Sequence, residues 1–256
     1  MNSKEKNSTI HKQYGLIGFP LSHSFSQKYF TDKFVRERIE GAAYALFPIE
    51  DLALLPGLIE QHPALVGLNV TIPHKQAVVS YLDELDSKAQ EIGAVNTIRI
   101  DPVTARRTGF NTDYYGFKTS LQTWLGETKI RKALVLGTGG ASKAVVCALR
   151  DLGIAYTYIS RRDSAEAISY ETLKQHHLPD FPLIINTTPL GMSPHTETLP
   201  NLAYDQLTAQ HFCYDLVYNP AETAFMQRAR AQGAQVKNGL EMLHLQAEKS
   251  WEIWNC

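Results

Sequence analysis

A chain of 256 residues has room for one large domain or two of ordinary size, with ample core in either case. With 44% hydrophobic and 20% charged residues, its composition is that of a soluble globular protein, which excludes the disordered and fibrous classes. A formal net charge of -1 offers no basic excess for nucleic acid or an anionic membrane, so any positive site must be local.

The opening residues, MNSKEKNSTIHKQ, are polar and carry no apolar stretch of the secretory type, and no apolar run is long enough to cross a bilayer. Cys147, Cys213 and Cys256 lie far apart with no ligand or redox spacing, and their odd number suits a reducing compartment. The expected location is the cytoplasm. After the tail, residues 14–19 (YGLIGF) read as a buried strand stopped at Pro20. Ser24 and Gln27 have capping-box spacing and open an amphipathic run through Arg38. Residues 43–49 read as a strand, 52–61 as a helix, 67–72 as a strand stopped at Pro73, and 74–82 as a helix. Residues 94–100 and the GFNTD stretch around Asn111 complete an α/β half.

A connecting helix is expected over 114–124, and residues 132–136 (KALVL) form a strand that runs into a glycine turn. A helix over 141–152 and strands over 155–159, 183–186 and 212–216 follow, then helices over 223–232 and 240–254. Strands alternating with helices imply parallel sheets with right-handed crossovers. The last helix is expected to pack back on the first half.

Strand, then Gly137-Thr138-Gly139-Gly140-Ala141-Ser142, then helix is the context a dinucleotide turn requires. The first glycine makes the tight turn, and the second lets the backbone approach a pyrophosphate held by amides and the helix dipole. Ser142 stands where a third glycine usually sits. At the end of the next strand, where NAD binders place an acid, this chain has Ser160-Arg161-Arg162. A guanidinium fork pairs with a 2′-phosphate, so NADP is the expected cofactor. Asp163, next in line, reads as a solvated loop residue.

In Asn69-Val70-Thr71-Ile72-Pro73-His74-Lys75, the lysine falls just past a strand, in the first turn of the expected helix, whose positive end pulls an ammonium pKa down. Such a lysine can exchange a proton with a substrate hydroxyl, although spacing alone equally allows a solvated side chain. Asp113, in Gly109-Phe110-Asn111-Thr112-Asp113, lies at the junction of the two halves and reads as a helix N-cap, a ligand-binding acid, or both. Ser24 and Ser26 are caps or hydroxyls facing a carboxylate or polyol. The nine histidines show no metal-ligand spacing, and His23 and His74 read as structural. No GxSxG elbow is present.

With GFPLSHSFS, GLNVTIPHK, IGAVNTI, GFNTD, VLGTGGASK, INTTPLGM and GLEMLHLQA in this order, the chain resembles the shikimate dehydrogenases from Tyr14 to its C-terminus. The resemblance implies an α/β protein of two domains joined by helices around a cleft. Residues 1–112 would form a mixed-sheet substrate-binding domain, with 240–256 packing back on it, and 113–239 a Rossmann-like, doubly wound, parallel-sheet NADP domain. The implied reaction is the reversible NADPH-dependent reduction of 3-dehydroshikimate to shikimate on the route to chorismate and aromatic amino acids. Lys75 and Asp113 match the catalytic pair, and Ser24 and Ser26 the serines that hold the substrate carboxylate. Thr71, Asn96, Tyr218 and Gln246 match positions around the ring and its hydroxyls. Gly137, Thr138, Gly139, Gly140, Ala141 and Ser142 match the phosphate turn. Ser160, Arg161 and Arg162 match the strand end that reads the 2′-phosphate, and Gly239 a backbone contact near the nicotinamide.

The chain departs from the family pattern at Gln27, where proline is usual, and at Phe30, where histidine is usual. Ser160 replaces an asparagine, Arg162 a threonine, and Ala165 a second basic residue for which Arg162 compensates. The implied partner is a small-molecule substrate, with no nucleic acid, membrane or metal, and monomer and homodimer both stay open. Rival readings are a broader quinate/shikimate dehydrogenase and a non-catalytic sensor of the same metabolites.

Overall fold

The structure, a computed structural model, describes residues 11–256 except 22, 23 and 177. The expectations attached to the first ten residues and to His23 lie outside the described residues. In chain order the first half runs β1 (Lys12–Gly18), α1 (Phe25–Arg36), β2 (Ala42–Pro48), a 3-10 turn into α2 (Leu55–Gln61), and β3 (Leu65–Val70). A 3-10 helix (Ala77–Tyr81), β4 (Glu84–Leu85), α3 (Ser87–Ile92), β5 (Thr97–Ile100) and β6 (Arg107–Phe110) complete it. The second half runs α4 (Thr112–Leu125), β7 (Lys132–Leu136), α5 (Gly140–Asp151), β8 (Ala155–Ser160), β9 (Ala167–Ser169) and α6 (Tyr170–Leu173). It continues through β10 (Leu183–Asn186), β11 (Phe212–Asp215), α7 (Ala224–Ala231), β12 (Gln235–Lys237) and α8 (Leu240–Trp254). Two compact units emerge, one of residues 1–112 with 247–256 and one of residues 113–246.

The first unit is built on a six-stranded sheet in the order β2-β1-β3-β5-β6-β4. β1 pairs parallel with β2 and β3, whereas β5 runs antiparallel to both β3 and β6, so the sheet is mixed. One core packs Ile17, Leu55, Leu68, Val78 and Ile98, and another packs Tyr14, Phe30, Phe34, Tyr44 and Trp254. Each fully buried side chain of this size contributes roughly 1.5–3 kcal/mol through area removed from water. The spacing of Phe30 and Phe34 places both on one stripe of α1, where Phe30 stacks on Tyr44 at 4.8 Å between ring centroids. Lys33 on the same helix is buried and pairs with Glu248 at 2.7 Å and Glu37 at 3.0 Å, and Tyr29 also bonds to Glu248. Only the lysine is buried, and its two carboxylate partners stay partly exposed, so the charge most costly to leave unpaired is that of Lys33.

The second unit is built on an all-parallel sheet in the order β12-β11-β10-β7-β8-β9. Counted from β7 as the first strand, this is the 3-2-1-4-5-6 doubly wound order. Its central strands alternate strictly: Ala133, Val135, Leu183, Ile185, Phe212 and Tyr214 enter one core, while Leu134, Leu136, Ile184 and Cys213 enter the other. Period two with both faces apolar is the pattern of a strand covered on both sides.

The structure differs from the sequence expectations in several places. The helix expected over 74–82 is a turn followed by the short 3-10 segment. Val78 N bonds back four residues, to His74 O, but Val79 N and Leu82 N reach back three, to Gln76 O and Val79 O. The β-branched pair Val78-Val79 followed by Ser80 gives little to an α-helix. β4, β9 and β12, two or three residues each, went unexpected because such short strands carry no readable period, and the short helices α3 and α6 went unexpected as well.

At Gly67, in the middle of β3, a Cβ would lie 2.4 Å from the Trp254 ring, whose Nε1 donates to Ile98 O at 2.9 Å. Gly67→Ala is therefore expected to lower the urea midpoint by an amount equivalent to about 1–3 kcal/mol. An unchanged midpoint would show that Trp254 moves aside at no cost.

Candidate active site

In the parallel sheet the strand order reverses between β7 and β10, and ligands bind outside the carboxyl ends of strands at such a point. The residues following those two strands, Gly137-Thr138-Gly139 and Thr187-Thr188-Pro189-Leu190, line a cleft of about 440 Å³ together with Ile159, Ser160, Arg161 and Tyr170. Gly137 has φ +100°, and a Cβ there would approach Thr188 Cγ2 to 2.8 Å, so only glycine makes this turn without strain. At Gly139 and Gly140 a Cβ would meet nothing within 4 Å, which leaves the face of the turn open, and no side chain caps the first turn of α5. An open glycine turn at an uncapped helix start fits a pyrophosphate. Ser142 is buried beneath the turn, where its N–H and Oγ both donate to Gly139 O, at 3.1 and 2.7 Å; the residue shapes the loop.

At the end of β8, Arg161 and Arg162 are exposed and line a second opening with Thr138 and Ser160. Ser160 Oγ donates to Arg162 O at 2.6 Å and accepts from Arg162 N at 3.2 Å, so it folds the arginine loop. Asp163 is exposed in the loop, as expected, and its carboxylate also bonds along the chain. Its carboxylate accepts from Ser169 N at 2.7 Å, Ser169 Oγ at 3.1 Å and Thr172 Oγ1 at 3.1 Å. The Ser169 amide and then the Thr172 hydroxyl hold its pKa below the usual carboxylate value. The acid that follows the arginines is therefore committed to β9 and α6, and the strand end offers guanidinium groups to a 2′-phosphate. This part of the fold fits NADP.

In the mixed sheet the order reverses at β1 and β3, and the segments after both strands carry candidate residues. After β1, Ser24 caps α1 by accepting from Gln27 N at 3.4 Å, which leaves its hydroxyl hydrogen to donate elsewhere. Cap and ligand roles are therefore compatible. Ser26, two residues on in the first turn of α1, hydrogen-bonds with Tyr44, whose own pKa burial raises. After β3, Thr71 is half-buried and its N–H donates to Ile17 O at 2.9 Å. Lys75 sits in the turn before the 3-10 helix, so the helix dipole expected to act on it has no α-helix behind it. Because β5 runs antiparallel to β3, Asn96 arrives at the same end, with its carbonyl accepting from Val70 N at 2.8 Å.

Asn96 Oδ1 accepts from Thr112 N at 2.7 Å and Thr112 Oγ1 at 3.1 Å, which fixes the start of α4. With that oxygen committed, the Asn96 amide nitrogen is the group left to donate to a ligand. Asp113 follows as part of the first turn of α4, one residue inside the helix rather than at its N-cap. In the second unit, Tyr218 is partly exposed beyond β11, and Gln246 is buried with Nε2 donating to Leu243 O at 3.0 Å. Gly239 is forced: a Cβ would fall 2.1 Å from Leu216 O.

Sequence reasoning assigned no role to Asn69, Thr97 or Ser250, all buried, or to residues 187–190 of the cleft wall. Asn69 Nδ2 donates to Ser250 Oγ at 3.0 Å and Thr97 Oγ1 at 3.3 Å, while Tyr44 Oη donates to Asn69 Oδ1 at 2.8 Å. The available signal was an asparagine inside the apolar strand GLNVTI. For the cleft wall it was a Thr-Thr-Pro run directly after a strand.

A family model described as shikimate dehydrogenase substrate binding domain matches residues 16–98. The chain is 42% identical to the NADP(+) shikimate dehydrogenase of Clostridium beijerinckii, over 94% of this chain and 91% of that protein. Shikimate dehydrogenase from Thermus thermophilus, solved with NADP(H) and shikimate, has a TM-score of 0.80 at 30% identity, covering 95% of this chain and 93% of that one. Quinate dehydrogenase from Corynebacterium glutamicum, solved with NAD, has a TM-score of 0.85 at 28% identity, with coverage of 95% and 93%.

Because its folded pKa is depressed, Asp163 holds the arginine loop at and above the ordinary carboxylate range and releases it as pH falls through the lowered value. Asp163→Asn, measured at neutral pH, should weaken binding of adenosine 2′,5′-bisphosphate about threefold and leave adenosine 5′-phosphate unaffected. Equal effects on both ligands would detach Asp163 from the 2′-phosphate.

Proposed function

The chain belongs to the shikimate dehydrogenase family, and from that premise we infer that it catalyses the reversible NADPH-dependent reduction of 3-dehydroshikimate to shikimate. The observation that carries this reading is identity of 42% to an NADP(+) shikimate dehydrogenase over 94% of the chain, a span that includes both units. We take the first unit as the substrate domain and the second as the cofactor domain. Quinate as the principal substrate is not favoured: the quinate dehydrogenase with this fold is 28% identical and was solved with NAD, whereas this chain puts Arg161 on the cleft.

The turn at residues 137–142 would hold the NADP pyrophosphate, Arg161 with Arg162 the 2′-phosphate, and Gly239 a backbone contact near the nicotinamide. When bound, the reduced cofactor supplies the hydride that converts the substrate's C3 ketone to an alcohol. Lys75 gives its proton to the oxygen as negative charge develops there, and its positive charge stabilises that oxygen beforehand. Asp113 orients the lysine and accepts a hydrogen bond from a ring hydroxyl. Ser24 and Ser26 donate to the substrate carboxylate, which suits the free hydroxyl hydrogen left by the Ser24 cap. Asn96 donates its amide to a ring hydroxyl, with Thr71, Tyr218 and Gln246 lining the rest. The cytoplasm is the proposed location, supported by three cysteines with no disulfide among them and by the lack, among the described residues, of a helix long and apolar enough to cross a membrane.

Following absorbance of reduced nicotinamide with shikimate or quinate, and NADP+ or NAD+, tests the assignment directly. Fast turnover is expected with shikimate and NADP+; turnover that favours quinate or NAD+ would displace it. Lys75→Ala should lower kcat by about 100-fold or more with little change in KM, and a loss confined to KM would reduce the lysine to a binding group. Arg161→Ala should raise the KM for NADPH about tenfold and leave that for NADH unchanged.

A further inference from the structure

Asp215 ends β11, in the row of strand ends that lines the cofactor side of the parallel sheet, yet it is 0% exposed. Its carboxylate is held by neutral donors alone. Thr223 Oγ1 donates to Oδ2 at 2.6 Å, while Val217 N and Asn186 Nδ2 donate to Oδ1, each at 3.0 Å. No lysine or arginine pairs with it among the described residues. Burial pushes its pKa up to about 6, against the pull of those three bonds. A neutral side chain of the same shape would serve packing at lower cost, so the charge calls for another explanation.

The chemistry of Asn186 supplies one. A carboxylate only accepts, so Asn186 must turn its amide nitrogen toward Asp215 and its oxygen the other way. That oxygen accepts from Thr188 N at 3.1 Å and Thr188 Oγ1 at 2.6 Å, and the amide nitrogen also reaches Leu190 O at 3.4 Å. Leu190 N in turn donates to Thr188 Oγ1 at 3.3 Å. Thr188 and Leu190 belong to the cleft wall opposite the glycine turn, and Thr188 Cγ2 is the atom that denies Gly137 a side chain. On the other flank, the bond from Val217 N fixes the backbone that leads to Tyr218 and to Leu216 O, against which Gly239 packs.

We propose that Asp215 is a positioning residue for the nicotinamide nucleotide: its carboxylate fixes the orientation of the Asn186 amide and, through it, the wall of the cleft at residues 187–190. The inference rests on the cofactor reading of that cleft. Protonated Asp215 presents a donor of its own and accepts less strongly, so Asn186 then keeps its orientation only through Thr188 and Leu190. The titratable groups that face Asp215 are Cys213 on the same strand and the phenol of Tyr204; burial raises both, so each stays neutral below the alkaline range. Asp215 is therefore the group whose charge changes here at moderately acid pH.

Calorimetric titration of NADP+ into the full chain, as wild type, Asp215→Asn and Thr223→Val, tests this from about pH 5 to about pH 8. Near pH 8, Asp215→Asn should bind NADP+ about tenfold more weakly than wild type, and the gap should close toward pH 5 as the wild-type carboxyl protonates. The cofactor's own 2′-phosphate titrates in this range but equally for both proteins, so it cancels in their ratio. A ratio within about twofold at every pH overturns the inference. Should circular dichroism show Asp215→Asn unfolded, Thr223→Val decides, because it removes one donor from the carboxylate and so raises its pKa. The affinity of Thr223→Val should begin to fall at a higher pH than wild type, and an unshifted profile overturns the inference. Wild type that fails to bind NADP+ at any pH instead removes the cofactor reading and takes the inference with it.

Discussion

The bond from Thr112 N to Asn96 Oδ1, at 2.7 Å, is the joint on which the substrate side of the molecule depends. It lies in a buried cluster in which Asn69, Asn96, Thr97, Thr112 and Ser250 satisfy one another through side chains. Buried polar atoms must find partners, and leaving one without costs roughly 1–3 kcal/mol, so these residues hold one arrangement rather than several. That arrangement brings the ends of β3, β5 and β6 to a common edge and sets the first turn of α4. The apolar cores make the sheet stable, but this cluster gives its carboxyl edge a defined shape.

Both sheets use their strand ends in the same way despite different orders. In each, the order reverses beside a central strand, and the loops on either side diverge to leave a crevice. The parallel sheet fills its crevice with backbone, through glycines and a Thr-Thr-Pro wall, which suits an extended anion. The mixed sheet carries hydroxyls, an amide and a lysine in the segments beside its reversal point, the groups proposed above to meet a small polyhydroxylated acid. Stability is given up on the cofactor side. A carboxyl whose pKa rises on folding favours the fold most below the ordinary carboxylate range and loses that advantage as pH climbs through about 6. Keeping Asp215 charged at neutral pH thus costs on the order of 3 kcal/mol.

Where local chemistry dictates geometry, the sequence was legible. Gly137 through Ser142 announced its turn because strand, glycines and helix follow within a few residues, and Arg161 lies where expected, at a strand end on the cleft. Ser24 and Gln27 showed the start of α1 through cap spacing, and the structure adds that Gln27, unlike a proline, has an N–H for Ser24 to accept. Phe30 departs from the family's histidine and proves to be an aromatic core residue, stacked on Tyr44. Less legible was anything decided by partners far along the chain. Lys75 falls in a turn ahead of a 3-10 segment, where the sequence pattern suggests an α-helix. Asp163 is solvated as expected, but its bonds to Ser169 and Thr172 went unforeseen because those residues belong to a strand and helix too short to foresee. Ser250 gave no signal at all, since a serine on the last helix acquires meaning only when Asn69 and Thr97 lie beneath it.

Helix α8 begins in one compact unit and ends in the other. The first unit is consequently discontinuous, because residues 247–256 complete a core otherwise made from residues before 113. On the ribosome, the parallel-sheet unit can close as soon as residue 246 has left the exit tunnel. The unit translated first cannot. Until Trp254 emerges, Tyr14, Phe30 and Tyr44 lack their covering ring, and the groove above Gly67 stays open to water. The order of synthesis is thus inverted in the order of completion: the half made earliest is closed by residues made after those of the other half.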